Sequence, residues 1–196
     1  MARIGVLALQ GDFEAHAKVL AGLGCEVVEV RRVAQLSGLD GLVIPGGEST
    51  TLLNLMTDEP WFDSLKRFEQ GGGALMGTCA GAILLARRVV NPPQDSVGLL
   101  DATIARNAFG RQVDSFETTL DAADLGGTIE AVFIRAPRFQ SLGQDVETLA
   151  VYDGEPVLVR DRRVLAMTFH PELTRDAKLH AYFLTMVKTA TLTGRF

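Results

Sequence analysis

Short apolar runs alternate with longer stretches of helical periodicity through the first half of the chain. Ile4 to Leu9 is one such run, and Phe13, His16, Ala17, Leu20 and Leu23 then recur at the spacing that lays one apolar stripe along a helix. Asp12 stands where a side chain could cap that helix, and Gly24 where the helix should stop. Glu26 to Val30 and Gly41 to Ile44 predict a second and a third strand, each near-continuous in apolar character as strands buried on both faces are. Pro45-Gly46-Gly47 ends the third abruptly. A helix is predicted over Glu59 to Gln70, a turn at Gly71-Gly72-Gly73, a fourth strand at Ala74 to Met76 and an apolar helix through Ile83 to Ala86. This succession is that of βαβ units on a parallel sheet.

The second half has a different rhythm. Thr103 to Ala105, Val113 to Thr118, Ile129 to Ile134, Leu149 to Tyr152, Pro156 to Val159 and Val164 to Phe169 follow one another with turns between them, so antiparallel strands or hairpins are expected. Asp153-Gly154 and Asp161-Arg162 are the turn candidates. Ala177, Leu179, Tyr182, Phe183, Met186 and Val187 mark a closing helix, with a polar end from Thr191 to Phe196 expected to fray. The expected fold is α/β: one three-layer domain over residues 1–196, with a mostly parallel central sheet and antiparallel strands added in the second half.

Composition narrows the function classes. The 196 residues carry 19 Lys and Arg against 24 Asp and Glu, a formal charge of −5 with no basic block, which argues against a nucleic-acid partner. No apolar run reaches about 18 residues, and the opening run is too short for a signal peptide, so a cytoplasmic protein without a membrane span is expected. The two cysteines, Cys25 and Cys79, are too few for a disulfide scaffold and read as reduced thiols. With three scattered His they offer no zinc spacing, and no metal or cofactor is expected.

Gly77-Thr78-Cys79-Ala80-Gly81 lies between a buried strand and a helix, the setting of a nucleophile elbow. Glycines on either side let the backbone turn sharply, and the start of a helix favours the thiolate. A thiolate nucleophile needs a base. His16, on the apolar face of the first helix, and His180, in the last, each read most simply as packing or surface residues. His170 instead emerges at a strand end, and Glu172, two residues on across Pro171, can hold the far ring nitrogen. Consecutive glycines in Pro45-Gly46-Gly47-Glu48-Ser49-Thr50-Thr51 can aim the Gly47 N–H at a developing oxyanion, with the Ala80 N–H as second donor. No Lys follows in Walker spacing, which argues against a phosphate cradle. On the residues alone, a cysteine peptidase or amidase and a redox-sensing binding module are the alternatives.

These motifs resemble the class I (triad) glutamine amidotransferases over essentially the whole chain, from Gly5-Val6-Leu7-Ala8-Leu9-Gln10-Gly11 to Phe169-His170-Pro171-Glu172-Leu173-Thr174. The run from Arg106 to Glu117 is similar to that of the branch whose ammonia goes to a separate subunit making pyridoxal 5'-phosphate. The resemblance implies Cys79 as nucleophile, His170 as base and Glu172 as its orienting partner. It implies L-glutamine held by Gly47, Glu48, Ser49, Arg106, Ile134 and Arg135. Either guanidinium could meet an α-carboxylate. Gln10 is an accessory candidate at the same sheet edge. It further implies a hetero-oligomer with the synthase subunit, which would make the pyridoxal phosphate itself. A glutaminase working alone would waste ammonia, so control by the partner through the Gly46-Gly47 peptide is expected.

Overall fold

The computed structural model describes residues 1–106 and 115–193, with side chains through Lys188. Strands β1 (Arg3–Leu7), β2 (Glu26–Val30), β3 (Gly41–Ile44) and β4 (Ala74–Thr78) run parallel, and helices α1 (Phe13–Gly22), α2 (Ser49–Leu55) and α3 (Trp61–Gln70) lie in the connections between them. Helix α4 (Ala80–Leu85) leaves β4 directly. There follow β5 (Ala86–Val90), β6 (Leu100–Ala105), β7 (Phe116–Ala122), β8 (Gly127–Phe133), β9 (Arg138–Leu142), β10 (Glu147–Tyr152), β11 (Glu155–Asp161) and β12 (Val164–Met167), and α5 (Lys178–Thr193) closes the chain.

The central sheet has seven strands in the order β10-β11-β12-β4-β3-β1-β2. Its buried side chains alternate between two cores. Ile4, Val6, Val43, Met76, Leu165 and Met167 face α1, α5 and the β7–β8 hairpin, where Leu20, Phe183, Leu120 and Ile129 meet them. Leu7, Leu42, Ile44, Leu75, Val164 and Ala166 face α2, α3, α4 and a small sheet ordered β5-β6-β9. Burial on both faces is why these strands read as continuous apolar runs.

The fold class read from the sequence is the observed one, with differences in detail. Val164–Met167 pairs parallel with β4, and β5 pairs parallel with β6, so the second half is not purely antiparallel. Three elements went unmarked: α2, because its start coincides with the Gly-Gly loop, β5, because it follows α4 without a turn signal, and the short, half-polar β9. Strand β7 begins at Phe116, and the expected Val113 start lies outside the described residues, as do 194–196 of the polar end. Asp12 makes no capping hydrogen bond. Its φ of −83° and ψ of 49° leave the extended region from which a cap side chain reaches back to the first turn. Asp153 and Gly154, with φ of 49° and 77°, form the tight turn expected between β10 and β11.

Helix α4 lies very close to the sheet, and a Cβ placed on Gly81 would collide with the Ile44 carbonyl oxygen of β3. Gly81→Ala should therefore destabilise the protein by about 1–3 kcal/mol or more, as overpacking against rigid backbone does. Urea unfolding checks this, and an unchanged midpoint would mean that α4 can move away from β3 freely.

Candidate active site

Parallel strands present their C-terminal ends at one edge of the sheet, and β3, β4 and β12 are neighbours there. Cys79 follows β4 with φ 47° and ψ −103°, a strained conformation for a residue with a side chain. Hydrogen bonds hold it there. Its N–H donates to Met167 O at 2.9 Å, and its carbonyl accepts from Ile83 N at 3.1 Å. His170 emerges just past β12, and its N–H bonds Val132 O at 2.8 Å, which ties it to β8. A 3-10 turn over Pro171–Leu173 then brings Glu172 back under the ring. The His170 Nδ1–H donates to Glu172 Oε1 at 2.8 Å, and the Cys79 side chain lies close enough to the ring to favour its charged form.

The electrostatics follow from that sandwich. Burial disfavours charge on His170, but the hydrogen bonds to Cys79 and Glu172 and the charges of both outweigh it and raise its pKa from 6.5 to about 10. At neutral pH the ring is a buried imidazolium beside a sulfur at the start of a helix. Gly46 packs against this pair so closely that a Cβ there would collide with His170 Cε1.

The glycine loop is clasped by Gln10. Its Oε1 accepts from Glu48 N at 3.1 Å, its Nε2 faces Gly46 O at 3.4 Å, and a Cβ on Gly47 would collide with Oε1. Gly47 has φ 134°, open to glycine alone. The Glu48 carboxylate caps α2, accepting from Thr50 N at 3.0 Å and Thr51 N at 2.7 Å. The Thr50 backbone bond foremost, with those from Thr51, lowers its pKa to about 2 against the opposing effect of burial. Arg106 Nη2 donates to Thr50 Oγ1 at 2.8 Å and lies 3.4 Å from Glu48 Oε1. Ser49 Oγ donates to Gln94 Oε1 at 3.0 Å. On the other flank, Ile134 and Arg135 follow β8 directly after the strand that holds His170, and Arg135 is exposed with φ 46°.

The structure thus brings together Cys79, His170 and Glu172 on one side, and Gln10, Gly47, Glu48 and Arg106 on the other. The discriminating run after Arg106 lies outside the described residues from 107 to 114. His16 and His180, read from the sequence as packing or surface residues, are buried against each other, and His16 lies against Glu172. His16 Nε2 lies 3.3 Å from Glu172 Oε2, and its Nδ1 is 2.9 Å from His180 Nε2, all of them fully buried or nearly so. Topology held the signal: both fall in the first turn or so of helices that begin at this same edge. Asp12 also offers an oxygen within 4.8 Å of donor atoms on His170 and Glu172, but those two already bond each other, which leaves no open set of ligands for a cation.

Fold and site together define a class: an α/β protein with a cysteine on a nucleophile elbow and a buried His-Glu pair behind it. A model of the SNO glutamine amidotransferase family matches residues 6–189. A Thermosipho africanus protein named pyridoxal 5'-phosphate synthase subunit PdxT is 50% identical over 186 residues, 95% of this chain and 99% of its own. A protein of that name from Thermus thermophilus is 53% identical over 185 residues, 93% of this chain and 96% of its own. A crystal structure titled glutamine amidotransferase superposes with a TM-score of 0.89 at 52% identity, covering 94% of this chain and 98% of that one. The chain belongs to the SNO glutamine amidotransferase family. Among the described residues, no helix is long and apolar enough to cross a membrane.

The His170 charge is linked to stability. A folded pKa of about 10 above an unfolded 6.5 means that folding takes up a proton between these values. The stabilisation is full below pH 6.5 and is lost as pH rises towards 10. Urea unfolding of the wild type and His170→Gln across that range should give a stability difference that shrinks with pH, whereas a flat difference would mean a neutral ring.

Proposed function

We propose that this chain hydrolyses the side-chain amide of L-glutamine to L-glutamate and ammonia, as the glutaminase subunit of a pyridoxal 5'-phosphate synthase. The observation that carries this reading is the buried His170 ring, bonded to Glu172 at 2.8 Å, beside the Cys79 side chain, with Gly46 packed against both. Membership of the family and the name shared by relatives about half identical over nearly their whole length support it.

In this reading Cys79 attacks the amide carbon as a thiolate, and the N–H groups of Gly47 and Ala80 receive the oxyanion. Ala80 is the first residue of α4, so its N–H has no partner within the helix. His170 gives its proton to the departing ammonia, which leaves a γ-glutamyl thioester. It then takes a proton from water as the water attacks, and the thiolate departs with glutamate released. Glu172 fixes the ring and supports its charge. Gly47, Glu48, Ser49, Arg106, Ile134 and Arg135 surround the substrate, with Arg106 or Arg135 meeting its α-carboxylate. Gln10 supports the loop that carries the oxyanion donor. The chain acts as one domain in the cytoplasm, uses no cofactor of its own and passes ammonia to the synthase subunit.

Cys79→Ala should fold normally and abolish ammonia release from glutamine, while Cys25→Ala, changed at a half-buried thiol between α1 and β2, should keep near-normal activity. Substantial turnover by the Cys79 variant would remove it as nucleophile. Isolated chain should be a poor glutaminase, because Gln10 and Gly46 hold the loop in one arrangement and docking must reorient the Gly46-Gly47 peptide. One missing oxyanion donor costs about 10²–10³ in rate. Steady-state ammonia release with and without saturating synthase subunit measures this, and equal turnover in the two conditions would exclude partner gating.

A further inference from the structure

We propose that His16, held in one tautomer by His180, is a positioning residue for Glu172, extending the Cys79–His170–Glu172 series by two buried imidazoles. The inference rests on the reading of Glu172 as the residue that orients His170. Oε1 of Glu172 is engaged by His170 at 2.8 Å, whereas Oε2 is buried with no properly aligned hydrogen-bond partner and faces His16 Nε2 at 3.3 Å. A buried carboxylate oxygen without a donor is costly. Thr78 Oγ1, on the residue before Cys79, also faces His16 Nε2, at 3.4 Å. On its far side, His16 Nδ1 meets His180 Nε2 at 2.9 Å, and His180 Nδ1 has no partner.

Only one arrangement of protons suits all of these contacts. Burial first, then the neighbouring His180 and His170, hold His16 neutral, and burial holds His180 neutral with a pKa of about 4. Each ring therefore carries one N–H. With that proton on His16 Nε2, both Glu172 Oε2 and Thr78 Oγ1 lie within reach of it, and His16 Nδ1 accepts from His180 Nε2–H. The single leftover is then a bare acceptor on His180. With the proton on His16 Nδ1 instead, a nitrogen lone pair would face the Glu172 carboxylate. His180 would then bury an orphan N–H, the rarer and costlier defect. His180 thus sets the tautomer of His16, which presents a donor to Glu172, which sets the tautomer of His170. At metal sites, likewise, the carboxylate that orients a ligating imidazole is itself held by outer hydrogen-bond partners. Asp12, the other carboxylate near Glu172, is exposed and cannot supply the missing donor from within the core.

The test combines kinetics of the full chain, with saturating synthase subunit, and imidazole 15N spectra of the chain. His16→Leu should lower kcat roughly tenfold, the rate equivalent of a hydrogen bond to a charged group, with KM for glutamine within about twofold. His16→Gln, which keeps an amide donor at similar reach, should recover most of that loss. In a Glu172→Ala background the Leu substitution should cost nothing further, because its effect passes through the carboxylate. An equal loss in both backgrounds, or wild-type rates in His16→Leu, would overturn the proposal. At neutral pH the spectra should show His16 protonated at Nε2, and the Nδ1–H tautomer would overturn it even if His16→Leu failed to fold. If the wild-type complex releases no ammonia from glutamine, the glutaminase reading fails, and the spectra still decide the His16 tautomer.

Discussion

The reactive edge depends on how closely α4 can lie against β3 and β4. A helix of six residues contributes little on its own, so its place is set by contact: Gly81 over the Ile44 carbonyl and Gly77 under the Gly81 backbone, where an added Cβ would come within 2.7 Å. Only with that backbone-to-backbone approach does the chain turn through Cys79 tightly enough to leave the sulfur at the strand ends rather than inside the sheet. The strain at Cys79 is borne by hydrogen bonds from β12 and α4, so the elbow is rigid before any ligand arrives.

Around that fixed sulfur the protein separates charge among like groups. Three imidazoles and two carboxylates lie close together, yet one ring is charged and two are neutral. What distinguishes them is neighbours and burial. His170 is held between Cys79 and Glu172, whereas His16, although it faces the same carboxylate, is more deeply buried and lies against His180, and burial alone lowers His180. The fold creates the difference by bringing α1 and α5 in from the face opposite α4.

Much of this was legible in the chain. Parallel strands announced themselves as continuous apolar runs, the elbow by glycines flanking Cys79, and the placing of His170 beside it by its position at the end of a strand. Residues whose role depends on three-dimensional neighbours were not legible. His16 sits on the apolar stripe of α1, which says only that it faces inward, and nothing local says that Glu172 waits there. That the Glu48 carboxylate caps α2 was hidden with the helix itself, whose first residues are the tail of the glycine loop. Asp12 looked like a cap until the turn at Gly11, with φ 82°, took it out of reach.

The neutral histidine pair also ties acid tolerance to the reactive centre. Below pH 6.5 an unfolded chain takes up protons that folded His16 and His180 refuse, since their pKa values lie well below that of free imidazole. Each step of acidification therefore favours unfolding, and it does so through groups in direct contact with the machinery behind Cys79. Part of the domain's acid sensitivity thus originates at its centre, and surface substitutions made to harden the protein against acid would leave that part untouched.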